Sequence, residues 1–445
     1  MQKSKQRTFI TNKTVAGGIV EGNAVRSGHG ESGRLDKQTV LLLVIQGLFA
    51  VANALSGTFI NVYLWKAKSD LLVIGWFALS QQVASALGMW AIAKWVKEHN
   101  KMNCLRLGVA LSALFYLSVL FFGKRAAVYI VPLGALQGLA FTLFWVAFNV
   151  VYFEATGPGN RDRFNGWSGL LGSLASMIAP WVSGFLIART GNTTGYRVIF
   201  TMSLVTFIVA VIFSFFLKKR PVQDRFEWLH AFRQLGKRDS PWRHVFPALI
   251  AQGVREGVFT FLIGLMVYLA TKKELQVGNY SLLTSAVSLL AYYFAGRWMK
   301  PSLRSRSMLI GSLAITAAIL PFFIKINFTT LLIFGISVAL FYPLYGIPIT
   351  SASFDAIGRT KESAEHRVEY VIFRETGLNI GRIFGTVMFI AVVALTKSPL
   401  AMAGLMLAIG SSPIVSWLFL RRQLVRPLQP EGVPAAKDRD QGAVR

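Results

Sequence analysis

A chain of 445 residues that is 53% hydrophobic and only 15% charged, with mean hydropathy +0.50, is poorer in charge than a water-soluble domain, which carries about 25%. Its net charge of +27 would suit a polyanionic ligand. The Lys and Arg residues, however, lie in short loops and tails between apolar runs, a pattern that records membrane topology and speaks against nucleic acid as a partner. The single cysteine, Cys104, excludes a disulfide framework and a CxxC site. His29, His99, His230, His244 and His366 are scattered without an i,i+4 pair, so no metal and no cofactor are expected.

Residues 1–37 are polar and Gly-rich and lack an apolar signal core, so the first membrane helix is expected to direct insertion. Both tails, 1–37 and 423–445, read as disordered. Apolar runs long enough to cross a bilayer follow near 39–64, 71–93, 103–122, 127–152, 164–188 and 197–217. After a basic linker at 218–244 come runs near 245–269, 279–299, 307–325, 329–351, 369–395 and 399–420. The expected fold is therefore an all-α polytopic membrane protein of twelve transmembrane helices, six at 38–217 and six at 245–422. Alternate loops, with the tails, hold 35 Lys and Arg residues against 10 on the other side, which places both termini in the cytoplasm of a protein of the plasma membrane. Within the linker, Trp228, Leu229, Phe232 and Leu235 fall near one helical face, as in a short amphipathic helix on the membrane surface; a plain tether fits equally well.

The two apolar blocks repeat. Gln46-Gly47 through Val62-Tyr63-Leu64 returns as Gln252-Gly253 through Val267-Tyr268-Leu269, Lys101 and Gly108 as Arg304 and Gly311, and Phe153-Glu154-Ala155 with Gly157 as Phe354-Asp355-Ala356 with Gly358. The offsets of 206, 203 and 201 residues keep one register, as expected of duplicated transporter halves.

Six spans, a basic loop and six more spans resemble the major facilitator superfamily over roughly residues 38–422. Its signature between spans two and three survives in AIAKWVKEHNKMNCLRLG as Lys101 and Gly108, but the acidic residue is missing and Lys94 stands near its place. Glu154 and Asp355 could instead supply acidic partners for Lys101 and Arg304, or all four could be solvated charges. In span five, Ala175, Ala179-Pro180, Ser183 and Gly184 follow the spacing of a motif that relatives associate with proton-coupled export. Tight helix packing at small residues accounts for the same pattern.

Ionisable residues deep in a span are functional candidates. Arg255 and Glu256 sit roughly 18 Å along span seven from its cytoplasmic end at about 1.5 Å per residue, and Arg382 lies at similar depth in span eleven, with Arg374 and Glu375 nearer the mouth. Adjacent residues point about 100° apart on a helix. Either Glu256 pairs with Arg382 across the cavity and leaves Arg255 for substrate, or Arg255 meets a substrate anion while Glu256 carries a proton. A purely structural ion pair is the plainer alternative. Gln46, Asn53, Ser56, Thr58, Asn61, Gln137, Trp145, Asn149, Gln252, Tyr342, Tyr345 and Asn379 supply a polar lining, with span ten broken near Pro343 and Pro348. Lys101, Glu154, Pro180, Arg304, Asp355, Arg374 and Glu375 are candidates for gating.

No phosphate-binding GxxxxGKS loop or hydrolase constellation is present, so the chain is expected not to be an enzyme. The resemblance implies a monomeric secondary transporter in the lipid bilayer that moves a small-molecule substrate by alternating access, with proton-coupled efflux ahead of uptake. A non-transporting receptor or scaffold on the same fold is the rival from another class.

Overall fold

A computed structural model describes residues 35–98, 100–156, 160–218, 226–357 and 366–425. The tails expected to be disordered lie almost wholly outside the described residues, as do Gly157 and Gly358 of the repeat. The described residues contain helices and no strand. Six helices precede the linker: α1 (Lys37–Lys68), α2 (Leu71–Glu98), α3 (Lys101–Phe122), α4 (Ile130–Ala155), α5 (Arg161–Thr190) and α6 (Asn192–Phe215). Six follow it: α7 (Trp242–Thr271), α8 (Glu274–Trp298), α9 (Arg304–Ala317), α10 (Phe328–Ile357), α11 (Arg367–Leu395) and α12, which has two pieces, Pro399–Gly410 and Ser412–Val425.

Among the described residues, eleven helical stretches are long and apolar enough to cross a membrane. The twelfth helix, α8, has 25 residues and so the length, roughly 37 Å at 1.5 Å per residue, but Glu274, Gln276, Asn279, Thr284 and a run of serines dilute its hydropathy. Those groups are not set against lipid alone, since α8 packs on α5 of the other half and on α10.

Local signals set the ends. Asp36 caps α1 by accepting the Thr39 N–H at 3.0 Å, and Asn100 caps α3 by accepting that of Met102 at 3.1 Å. Helices α1 and α7 both stop at a left-handed residue, Ser69 (φ 52°) and Lys272 (φ 55°), whose N–H returns to the carbonyl of Trp65 and of Tyr268. The two stops are again about one repeat apart. So are two close crossings, where Gly108 lies against the backbone of Phe144 and Gly311 against that of Tyr345. The linker-side ends of α3 and α4 are tied by Lys101 and Glu154, and those of α9 and α10 by Arg304 Nη1 and Asp355 Oδ2 at 2.9 Å. The two halves thus carry the same device at the same place.

The halves meet where α2 packs on α11 and α5 on α8. Backbone contact is close in the second pair: a Cβ at Gly184 would lie 2.7 Å from the Glu274 carbonyl oxygen, and one at Gly278 2.9 Å from that of Pro180. The Pro180 segment of α5 is therefore part of the seam between halves, where small residues are a packing requirement.

Two expectations need correction. Helix α10 is not broken; it runs through Pro343 and Pro348 as one element. Each proline removes a single backbone donor, which a helix packed among neighbours tolerates. Among the described residues the linker holds one helical turn, His230–Arg233; Leu229 is exposed, while other apolar side chains dock on the protein. Trp228 stacks on Trp90 of α2 at 5.8 Å, and Phe232 meets Phe373 of α11 at 4.6 Å. The preceding part, 219–225, with Arg225, lies outside the described residues.

Candidate functional site

The centre of the site is the crossing of α7 and α11. Gly253 and Gly257 on one helix, Gly381 and Gly385 on the other, are spaced four apart, so both pairs fall on one face. A Cβ at Gly381 would lie 2.0 Å from the Ile250 carbonyl oxygen, and one at Gly257 2.4 Å from that of Arg382. Only glycine allows this approach, and it brings the charged residues of the two helices together.

Arg382 then reaches Glu256. Its Nη2 donates to Oε2 at 2.9 Å, while its Nη1 donates to Asn379 Oδ1 at 3.1 Å and stands 3.6 Å from Glu375 Oε2. Glu256 also accepts from Gln252 Nε2 at 2.7 Å. Glu375 is bound in turn by Arg374, whose Nε donates to Ser353 of α10 at 3.3 Å. Two carboxylates and two guanidinium groups form one chain of alternating sign. It lies within the C-terminal half and lines the wall of a cavity; it does not bridge the cavity.

Arg255 points elsewhere, as the 100° step requires. It is buried, at 7% exposure. Its guanidinium lies over the rings of Phe259 at 4.9 Å and Tyr342 at 5.5 Å, and Nε has no hydrogen-bond partner. Among the described residues it makes no direct ion pair, although the Glu256 carboxylate faces the same cavity.

These groups line two adjoining cavities. One, of about 450 Å³, lies between α2, α4, α7 and α11 and is faced by Gln81, Gln82, Trp145, Asn149, Glu256, Glu375, Asn379 and Arg382. The other, of about 490 Å³, lies between α7, α8 and α10 and is faced by Arg255, Tyr280, Thr284, Ser285, Ser288 and Tyr342. Glu256 and Thr260 belong to both walls.

Other residues singled out from sequence go elsewhere. Tyr345 is 1% exposed and donates to Ser416 of α12 at 3.1 Å, so it packs the half and does not face these cavities. Ser56 bonds Ser203 at 2.6 Å and joins α1 to α6; Gln46 bonds Ser168 of α5. Asn53 donates to the Phe49 carbonyl of its own helix at 2.8 Å. Asn61 and Gln137 are buried, each with an oxygen lacking a partner, and line neither cavity. Gln81, Gln82 and Tyr280 were missed; only the apolar–polar contrast within α2 and α8 could have signalled them.

Each end of the molecule carries an ion pair between the halves. On the linker side, Lys97 of α2 meets Glu369 of α11 at 2.5 Å, with side chains 4% and 2% exposed. Lys94, placed by sequence near the missing acidic position, is mostly exposed and 3.9 Å from Glu98. The seam contact is therefore made by a lysine one turn further on, with its acid supplied by α11. At the opposite end Lys66 of α1 meets Glu274 of α8 at 2.7 Å, and Tyr196 donates to the same carboxylate at 3.3 Å. Trp65 and Tyr268 meet there edge to face, with ring centroids 5.9 Å apart, and bring α1 against α7.

Comparison with known proteins bears on the fold. The family model of the Major Facilitator Superfamily matches residues 42–386. The chain is 42% identical over 375 residues to "Uncharacterized protein YqgE" of Bacillus subtilis (strain 168), covering 83% of this chain and 86% of that one. It is 38% identical over 167 residues to "Uncharacterized protein in sodM 3'region" of Geobacillus stearothermophilus, covering 38% of this chain and 78% of that one. Among solved structures, a bacterial homologue of the iron transporter ferroportin in its outward-facing state superposes with TM-score 0.63 at 13% identity, over 87% of this chain and 99% of that chain. The nucleoside transporter NupG superposes with TM-score 0.61 at 13% identity, over 88% and 100%. A D-xylose-proton symporter gives 0.62 at 11% identity, over 86% and 97%. At such identities these likenesses speak for the fold.

Proposed function

Because the chain belongs to the major facilitator superfamily, whose fold is that of a secondary transporter, we propose that it carries a small organic anion with an apolar or aromatic portion by alternating access. One observation carries this reading: Arg255 lies buried beside a cavity, with aromatic rings on its flanks, an Nε without a hydrogen-bond partner and, among the described residues, no direct ion pair, the neighbouring Glu256 being bound to Arg382. A buried cation that lacks a direct ion pair is costly, and a substrate carboxylate or phosphate would reduce that cost. Phe259 and Tyr342 would meet the apolar part, while Tyr280, Thr284 and Ser288 offer hydroxyls.

The coupling ion in this reading is a proton held by Glu256. Arg382 is shared by Glu256 and Glu375, so Glu256 can take a proton while Arg382 keeps one carboxylate. We further infer efflux from a plasma membrane, with both termini cytoplasmic and a monomer as the working unit. The spacing at Ala175 to Gly184, which resembles that of exporters and lies in the seam between halves, supports the direction, and the Lys and Arg distribution supports the orientation. Lys101–Glu154 and Arg304–Asp355 would act in gating by holding helix ends rigid within each half.

Proteoliposomes with an internal pH dye test the reading. Organic anions of graded apolarity are added under an imposed proton gradient. Substrate-dependent proton flux is expected in the wild type, lost in Glu256→Gln, with anion binding lost in Arg255→Met and retained in Glu256→Gln. Proton flux that persists in Glu256→Gln sinks the coupling role; anion binding that persists in Arg255→Met sinks the site.

A further inference from the structure

Two of the histidines scattered in sequence meet in space. His230, on the single helical turn of the linker, stacks on His366 at the start of α11, with ring centroids 3.9 Å apart and planes at 21°. Glu227, one turn earlier in the linker, brings a carboxylate oxygen to 3.4 Å from His230 Nδ1. One donor atom from each of Glu227, His230 and His366 lies within 4.8 Å of the others. We propose that these three side chains form a binding site for a transition-metal dication of the zinc type, on the linker side of the seam between the halves.

The donor set fits that class. Two imidazoles and a carboxylate are ligands of zinc and its neighbours, and a poor match for magnesium or calcium, which take oxygen donors. Donors about 2.0–2.1 Å from a tetrahedral ion stand about 3.3 Å apart, so binding draws the three atoms in by up to about 1.5 Å and splays the stacked rings until their lone pairs converge. The geometry places that movement in the linker turn, only four residues long. Glu227 is exposed and both histidines are partly so, which leaves a route for an ion to enter.

A further carboxylate borders the three donors without joining their group. Glu369 is 3% exposed, its Oε1 lies 3.7 Å from His366 Nδ1, and its Oε2 has no hydrogen-bond partner. The Oε1 also accepts from Lys97 and from the Glu227 N–H at 3.3 Å. The site therefore abuts the buried pair that joins α2 to α11. An ion there would fasten the linker turn to α11 at the point where the linker-side ends of the halves meet, so that metal and the Lys97–Glu369 pair hold the same closed arrangement.

The test uses full-length protein purified in detergent through a tag without histidine, with Zn²⁺ titrated against a chromophoric competing chelator. One tight site per chain is expected, insensitive to Mg²⁺, and zinc should raise the melting temperature and slow proteolysis in the linker. His230→Ala and His366→Ala should each weaken binding at least about tenfold, as loss of a metal-site partner does, and remove both protections; His244→Ala should change nothing. Glu227→Gln, on an exposed side chain, serves as a third variant should a histidine variant not fold. No zinc binding in the wild type, or unchanged affinity in the variants, overturns the proposal.

Discussion

Replacing Lys97 by methionine tests the lock on the linker side. The substitution keeps the length of the side chain and removes its charge, leaving the Glu369 carboxylate, 2% exposed, without its cation. Breaking a buried ion pair by removing one partner costs about 3–5 kcal/mol. Glu369 keeps the Glu227 N–H at 3.3 Å and His366 at 3.7 Å, so the lower end applies. At about 1.4 kcal/mol per decade, 3 kcal/mol shifts the balance towards opening on that side by roughly a hundredfold. Cys104 is the single cysteine and is buried, so a Cys104→Ala background carrying Asn149→Cys, in the wall of the cavity faced by Glu256 and Arg382, reports opening through its rate of reaction with a membrane-impermeant maleimide. The Lys97→Met variant should label roughly a hundredfold faster from the linker side. The exchange Lys97→Glu with Glu369→Lys should return the rate towards that of the parent. A single variant that labels at the parental rate refutes the assignment of this pair as a lock.

Further expectations concern packing and the wall of the cavity. Gly381→Ala puts a methyl where only 2.0 Å separates it from the Ile250 carbonyl oxygen; the helices must part, at about 1–3 kcal/mol, read as a lower melting temperature together with weaker anion binding, because the Arg382–Glu256 pair spans the same crossing. A lower melting temperature with unchanged binding would detach the crossing from the site. Tyr345→Phe removes one buried hydrogen bond to Ser416, worth about 1 kcal/mol, and should lower stability without altering substrate affinity; a change in affinity would return Tyr345 to the site. Arg255→Lys keeps the charge but loses the guanidinium that lies over the Phe259 and Tyr342 rings. It should retain anion binding at reduced affinity, and parental affinity would mean the rings contribute nothing.

The repeat was legible because equivalent devices leave residues of like charge: register alone set Lys101 with Glu154 and Arg304 with Asp355 as candidate pairs, and the structure joins both. Position along a helix was legible too, since counting residues puts Arg255, Glu256 and Arg382 well inside α7 and α11. What faces what was not. Sequence offered two arrangements for Glu256, and the choice between them depends on the rotation of α7 against α11, set by glycines whose significance shows only when both helices are seen together. Tyr342 and Tyr345 are three residues apart on one helix and nearly share a face, yet one meets the cavity and the other α12. The Lys97–Glu369 and Lys66–Glu274 pairs join positions 272 and 208 residues apart, and no local pattern links such partners. The histidine pair escaped for the same reason, because i,i+4 spacing finds only ligands on one helix.

Every charged side chain in the two cavity walls, Arg255, Glu256, Glu375 and Arg382, sits on α7 or α11. The N-terminal half contributes a neutral face, including Gln81, Gln82, Trp145 and Asn149. The two halves thus share their end clamps but differ at the cavities, and under the proposed reading recognition of charge would fall to the C-terminal copy alone. A chimaera with a foreign N-terminal half would then alter the size and shape of what passes while keeping the sign of its charge.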